Sequence, residues 1–224
     1  MSRRYPLMAI GHPLDRAAVN DWNPLTSLFV KVCGLRTERD VDTAVEAGAD
    51  AIGFVFAESP RQVDADTARR LVRRVPEHVL TVAVFRNQSL GEVRALSSAA
   101  GVGAVQLHGS EGRDYYDILR QDDVVLIRGA AFREPIPQYG DMGEDMLLLD
   151  APTPGAGVPW NWAQFGSSTD KWLLAGGLTP DNVGEAIAAT KPFGVDVSSG
   201  VEVSRGVKDP ALITSFIKAA RAQV

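Results

Sequence analysis

The chain has 224 residues, 45% hydrophobic and 23% charged, with 21 glycines, a single cysteine and a formal net charge of -5. These are ordinary globular proportions; they exclude a disordered chain and a disulfide scaffold, and the acidic balance lacks the basic stripe that a nucleic-acid partner requires. No run approaches the ~18 consecutive apolar residues of a membrane span, and Pro6 to Gly11 is too short and interrupted to be a secretory signal, so a cytoplasmic protein is expected.

Residues 1–26 precede the first apolar run and are expected to form an N-terminal extension: a plug, an arm, or the product of a misplaced start. Strands rich in Val, Leu and Ile are then predicted at Leu28–Cys33, Ala51–Phe56, Leu80–Phe85, Ala104–Leu107, Val124–Arg128, Met146–Asp150, Trp172–Ala175 and Val195–Val197. Amphipathic helices are predicted between or after them at Thr37–Ala47, Ala65–Val75, Leu90–Ala99, Pro180–Ala189 and Pro210–Ala222, each bounded by turn or capping residues. After the fifth and sixth strands, Pro135, Pro137 and Gly140, then Pro152, Pro154 and Pro159, leave little room for a long helix. No low-complexity linker interrupts the alternation, so residues 27–224 are expected to be one α/β domain. Repeated βα units in this length predict a single-domain (βα)8 TIM barrel, with a doubly wound open sheet as the alternative.

In a barrel, chemistry sits at the carboxyl ends of the strands and in the loops that follow. Cys33, Gln106, His108, Asp150 and Asp196 all fall there, on different strands. Because side chains alternate along a strand, Lys31 shares a face with Cys33, and Gln106 with His108. An ionised Asp150 after Leu147, Leu148 and Leu149 is costly unless paired or used; its plainer reading is a turn-starting residue before Pro152. Cys33 reads either as a small buried hydrophobe or as a reactive thiol, and His108 more simply as a hydrogen-bonded wall residue. Gly176 and Gly177 follow the seventh strand, and Ser198, Ser199 and Gly200 follow the eighth. Loops in these two places commonly hold phosphate through backbone N–H groups. The absence of a lysine after the glycines argues against a nucleoside triphosphate.

Several blocks, in order, carry a family resemblance. They are Val30-Lys31-Val32-Cys33-Gly34-Leu35, Gly48 to Phe56 with Ser59-Pro60-Arg61, Val82 to Phe85, Val105-Gln106-Leu107-His108-Gly109, Leu149-Asp150, Ala175-Gly176-Gly177-Leu178 with Asn182-Val183, and Val195 to Glu202 with Lys208-Asp209. Together they resemble the phosphoribosylanthranilate isomerases of tryptophan biosynthesis, which are (βα)8 barrels. The resemblance implies the Amadori rearrangement of N-(5-phosphoribosyl)anthranilate to 1-(o-carboxyphenylamino)-1-deoxyribulose 5-phosphate, with no cofactor and no metal. A small phosphosugar is then the expected partner, with no nucleic acid and no membrane, and the chain is expected to be a monomer or a homodimer.

The same resemblance implies roles for individual residues. Asp150 falls at the general-acid position and would protonate the ribose ring oxygen. Cys33 falls at the general-base position and would take the proton from the sugar C2; for that it is expected to be accessible and partly thiolate near neutral pH. Lys31, ~7 Å along the strand, would either assist the thiol or serve the core. Arg61 matches the residue that holds the anthranilate carboxylate, against a plainer reading as a solvated arginine. Gln106 and Asp196 are implied to bind substrate, and Gly176, Gly177, Ser198, Ser199 and Gly200 to bind its phosphate.

Two features depart from the family pattern. The loop Pro154-Gly155-Ala156-Gly157-Val158-Pro159-Trp160-Asn161-Trp162 keeps two glycines but lacks the family's hydroxyl and lysine, and the N-terminal extension has no family role. Competing readings are a barrel isomerase serving both histidine and tryptophan synthesis, in which a carboxylate would replace Cys33; a phosphopentose epimerase, which would need metal-ligating histidines at strand ends, whereas His12 and His78 lie elsewhere; and a non-catalytic phosphosugar-binding barrel.

Overall fold

The computed structural model describes residues 16–21, 27–152 and 170–223. Eight parallel strands close on themselves in sequence order: β1 (Phe29–Cys33), β2 (Ala51–Val55), β3 (Leu80–Phe85), β4 (Ala104–Leu107), β5 (Val125–Ala131), β6 (Met146–Asp150), β7 (Trp172–Leu174) and β8 (Gly194–Val197). β8 pairs with β1, Asp196 opposite Lys31, so the sheet has no edge and the open doubly wound alternative is excluded.

The helices are α1 (Arg16–Asp21), α2 (Glu38–Glu46), α3 (Ala65–Val72), α4 (Leu90–Ala100), α5 (Arg113–Leu119), α6 (Val183–Thr190) and α7 (Pro210–Arg221). Their starts are set by local chemistry. The Thr37, Asp64, Ser89 and Asp209 side chains accept from backbone N–H groups at the N-termini of α2, α3, α4 and α7, and Ser89 forms a reciprocal capping box with Glu92. Each cap stabilises its helix by roughly 1 kcal/mol.

Alternation along the strands divides the core in two. Side chains such as Val30, Val32, Ile52, Phe54, Leu126, Leu147 and Val195 point outward against the helices, while Phe29, Ala51, Leu80, Val82, Ala104, Ile127, Leu148 and Leu173 fill the barrel. Val19 of α1 joins the inner cluster and is fully buried. Nearby, Arg16 Nε donates to Asp145 Oδ2 at 3.0 Å, so α1 is tied to the residue that precedes β6.

Several expected boundaries shift. β5 runs to Ala131 rather than Arg128, α3 stops at Val72, and α6 begins at Val183 rather than Pro180. The last shift has a local cause: Asn182 Oδ1 accepts from Thr179 N–H at 2.8 Å, which holds residues 179–182 as a turn. After β8, a short 3-10 turn (Ser199–Val201) leads into an unanticipated hairpin of β9 (Glu202–Ser204) and β10 (Val207–Lys208). No described helix is long and apolar enough to cross a membrane.

Candidate active site

The carboxyl ends of β1, β4, β6 and β8 bring Cys33, His108, Asp150 and Asp196 to one mouth of the barrel. Glycines make the room they occupy. A Cβ on Gly53 would lie 2.8 Å from Cys33 Sγ, one on Gly129 would lie 2.6 Å from the His108 ring, and one on Gly176 would lie 2.7 Å from Asp150 Oδ1. Gly176 also has φ +84, a conformation that favours glycine.

Asp150 is 8% exposed. Its Oδ1 accepts from Ala151 N–H at 2.7 Å, and its Oδ2 lies 3.5 Å from His108 Nε2. On the far side of that ring, Nδ1 is 3.0 Å from Gln106 Nε2. Gln106 is thus fully buried behind His108 and does not line the cleft at Asp150. Gln106 Oε1 and His108 Nε2 are buried without a hydrogen-bond partner among the described residues.

Inside the mouth, Lys31 is completely buried and its Nζ donates to Asp196 Oδ1 at 2.8 Å. Burial opposes its charge, but Asp196 and Cys33 outweigh burial and hold Lys31 above the ordinary lysine value. Cys33 goes the other way. Burial pushes the thiol above its ordinary value, Lys31 opposing and Asp196 reinforcing the rise. Cys33 is only 7% exposed. The thiol expected to be accessible is therefore buried, and desolvation, larger than the opposing help from Lys31, sets the upward direction of its shift.

A small cleft of about 50 Å³ opens beside this group, lined by Arg61, Asp150, Gly176, Gly177, Asp196 and Ser199 among others. It also includes Ser198, whose hydroxyl donates to the Cys33 carbonyl at 3.1 Å. The two expected phosphate loops face each other here. Gly200 touches the other loop, since a Cβ on it would stand within 2.8 Å of the Leu178 carbonyl carbon. The N–H groups of Gly177, Ser199 and Gly200 make no hydrogen bond to the other described residues, which leaves them available to an anion. Arg61 is not the solvated arginine of the plainer reading. It forms a two-pronged ion pair with Glu202, which also receives Lys208. Burial opposes the Glu202 charge, but Arg61, the Gly206 N–H and Lys208 hold this carboxyl at about 2. Lys208 is below the ordinary lysine value because its burial outweighs Glu202.

Glu202 and Lys208 escaped functional assignment in the sequence, although both lie in resembling blocks; their partnership comes only from barrel closure and the β9–β10 hairpin. The glycines Gly155 and Gly157 lie outside the described residues. Among the described residues, no group of three or more His, Cys, Asp and Glu side chains is placed to hold a metal ion. A larger hollow of about 530 Å³ lies outside the barrel beside α4, near Arg94, Val105 and Leu119. It holds the exposed Arg94–Asp122 ion pair and none of the strand-end groups, so size does not select the functional site.

Comparison with known proteins agrees with this geometry. The family model for N-(5'-phosphoribosyl)anthranilate (PRA) isomerase matches residues 30–219. The N-(5'-phosphoribosyl)anthranilate isomerase of Desulforudis audaxviator is 43% identical over 201 residues, covering 86% of this chain and 98% of the relative. Among solved structures, TrpF from Jonesia denitrificans superposes with a TM-score of 0.79 at 41% identity, covering 88% of this chain and 98% of that one. A phosphoribosyl anthranilate isomerase solved in complex with reduced 1-(o-carboxyphenylamino)-1-deoxyribulose 5-phosphate gives a TM-score of 0.73 at 32% identity, covering 88% of this chain and 100% of the other.

Proposed function

Because the chain belongs to the N-(5'-phosphoribosyl)anthranilate isomerase family, and is an isomerase of tryptophan biosynthesis, we propose that Asp150 and Cys33 are the acid and base of its Amadori rearrangement. The observation that carries the assignment is the convergence of Asp150, Arg61, Asp196 and both glycine-rich loops on one cleft, whose Ser198 hydroxyl bonds to the Cys33 carbonyl.

Asp150, in its protonated form, donates to the ribose ring oxygen as the C1–O bond breaks and the anilino nitrogen lone pair forms the iminium. Cys33, as thiolate, then removes the proton from C2 to give the enolamine. Protonation at C1 and loss of the C2 hydroxyl proton complete the ketose and return both groups to their starting states. The buried Lys31 ammonium, on the same face of β1 as Cys33, supplies the positive charge against which a thiolate can form. Asp196, held by Lys31, faces the sugar. Gly176, Gly177, Ser198, Ser199 and Gly200 bind the phosphate, and Arg61 binds the anthranilate carboxylate with its planar donor fork. Gln106 acts from behind His108.

Residues 27–224 form the catalytic barrel in this reading, and residues 1–26 are an extension to it. In this reading the chain works as a monomer or a homodimer. A cytoplasmic location accords with the single cysteine. The test is loss of anthranilate-type fluorescence when the full chain is mixed with phosphoribosylanthranilate made in situ; a persistent signal under conditions where the ligand binds would instead favour a non-catalytic barrel.

A further inference from the structure

Glu202 opens β9, immediately after the 3-10 turn that carries Ser199 and Gly200. Its two oxygens are nearly saturated. Arg61 Nε donates to Oε1 at 2.6 Å and Nη2 to Oε2 at 3.0 Å, while Lys208 Nζ donates to Oε1 at 2.9 Å and Gly206 N–H to Oε2 at 3.0 Å. The Glu202 side chain is 4% exposed and that of Arg61 14%, so this is a largely desolvated cluster rather than a solvated surface pair.

The way Arg61 is held decides what it can still do. A guanidinium has five N–H groups in a rigid plane. Glu202 takes the edge formed by Nε and Nη2, and Nη1 has no partner among the described residues. The guanidinium is kept in one plane by the two parallel bonds, and a second carboxylate can be met by the edge that remains. Gly34, at φ +79, clears the path of the arginine stem, since a Cβ there would lie 2.7 Å from Arg61 Cδ. The carboxylate reaches the other end of the cleft as well. Lys208 Nζ, besides meeting Glu202, donates to the Ser198 carbonyl at 2.8 Å at the start of the eighth-strand loop.

We propose that Glu202 is the positioning residue for Arg61: it grips the Nε–Nη2 edge so that the Nη1–Nη2 edge is presented to the aromatic carboxylate of the substrate, and through Lys208 it ties that orientation to the loop at Ser198. This rests on the reading of Arg61 as the carboxylate-binding residue. A contrasting possibility is that Glu202 is a decoy that occupies the place of the substrate carboxylate, in which case its removal would tighten binding.

The experiment uses the full chain as wild type, Glu202→Gln, Glu202→Asp, Arg61→Ala and the Glu202→Gln/Arg61→Ala double variant. KM and kcat are measured with phosphoribosylanthranilate made in situ, alongside competitive inhibition by inorganic phosphate. Positioning predicts that Glu202→Gln raises KM roughly tenfold, the worth of one charge-assisted hydrogen bond, with kcat changed less than KM. Glu202→Asp, which keeps the charge but shortens the reach, raises KM as well. Phosphate inhibition stays near wild type, and the double variant is no worse than Arg61→Ala. A KM for Glu202→Gln and Glu202→Asp that is unchanged or lowered, while Arg61→Ala raises it, overturns the proposal and leaves the Arg61 reading standing. So do additive effects in the double variant, or a parallel loss of phosphate inhibition and melting temperature, which would make Glu202 a general support of the loops. If Arg61→Ala itself leaves KM unchanged, the Arg61 reading fails and the proposal falls with it.

Discussion

Lys31 Nζ and Asp196 Oδ1 stand 2.8 Å apart, on neighbouring strands and directly opposite in register, with the lysine completely buried. A pair of this kind is costly to break from one side, because the remaining charge is stranded in a poorly solvated place. Lys31→Met is expected to lower unfolding stability by ~3 kcal/mol, and the Lys31→Met/Asp196→Leu double variant to recover much of the loss. Denaturant titration of the three proteins checks this; a single variant as stable as wild type would mean that the ion pair does not persist in solution.

The same lysine faces a thiol whose ionisation burial opposes. Only the thiolate attacks an alkylating reagent, so iodoacetamide should react slowly with the ligand-free protein at pH 7, and the rate should climb through and beyond the ordinary thiol value of ~8.5. A rate that levels off below that value would show that Lys31 outweighs burial after all.

Gly176 ties stability to chemistry in one position. A methyl group there would lie 2.4 Å from Ala151 N and 2.7 Å from Asp150 Oδ1, at φ +84. Gly176→Ala is expected to lower the melting temperature, and to reduce kcat by at least tenfold through displacement of the carboxyl, since small misplacements of a catalytic group cost on the order of 10²-fold. Steady-state kinetics on the folded fraction separates the two effects.

Glu202 predicts a pH dependence of stability. Its carboxyl is held at about 2 in the folded protein, against ~4.3 in an unfolded chain. Its contribution is therefore present above the unfolded value and is lost as pH falls from there toward the folded value. Wild type should lose stability more steeply than Glu202→Gln between about pH 4.5 and 2.5, by on the order of 2 kcal/mol in the difference. Parallel curves would mean that the carboxyl is not depressed.

The strands were legible because Val, Leu and Ile in short runs mark buried parallel strands, and five of the helices because their apolar spacing, with a side-chain cap on four of them, is local. β5 was cut short at Arg128 because Gly129, Ala130 and Ala131 carry no strand signature, yet Gly129 leaves the room that the His108 ring occupies. The positions of Cys33, Asp150 and the two loops followed from strand ends alone. The Arg61–Glu202 pair did not, because it joins residues 141 apart that only barrel closure and the hairpin bring together. Nor could sequence show whether Lys31 or desolvation wins at Cys33, a matter of how completely the inner face excludes water.

The most direct test of the acid–base account is turnover by Asp150→Asn and Cys33→Ala beside wild type, followed by fluorescence with phosphoribosylanthranilate made in situ, with binding of the product measured on the same samples. Both variants should fold, bind the product within a few-fold of wild type, and lose on the order of 10²- to 10⁴-fold in kcat. Retention of kcat within tenfold of wild type by either variant would contradict the assignment and move that proton transfer to another group at the barrel mouth.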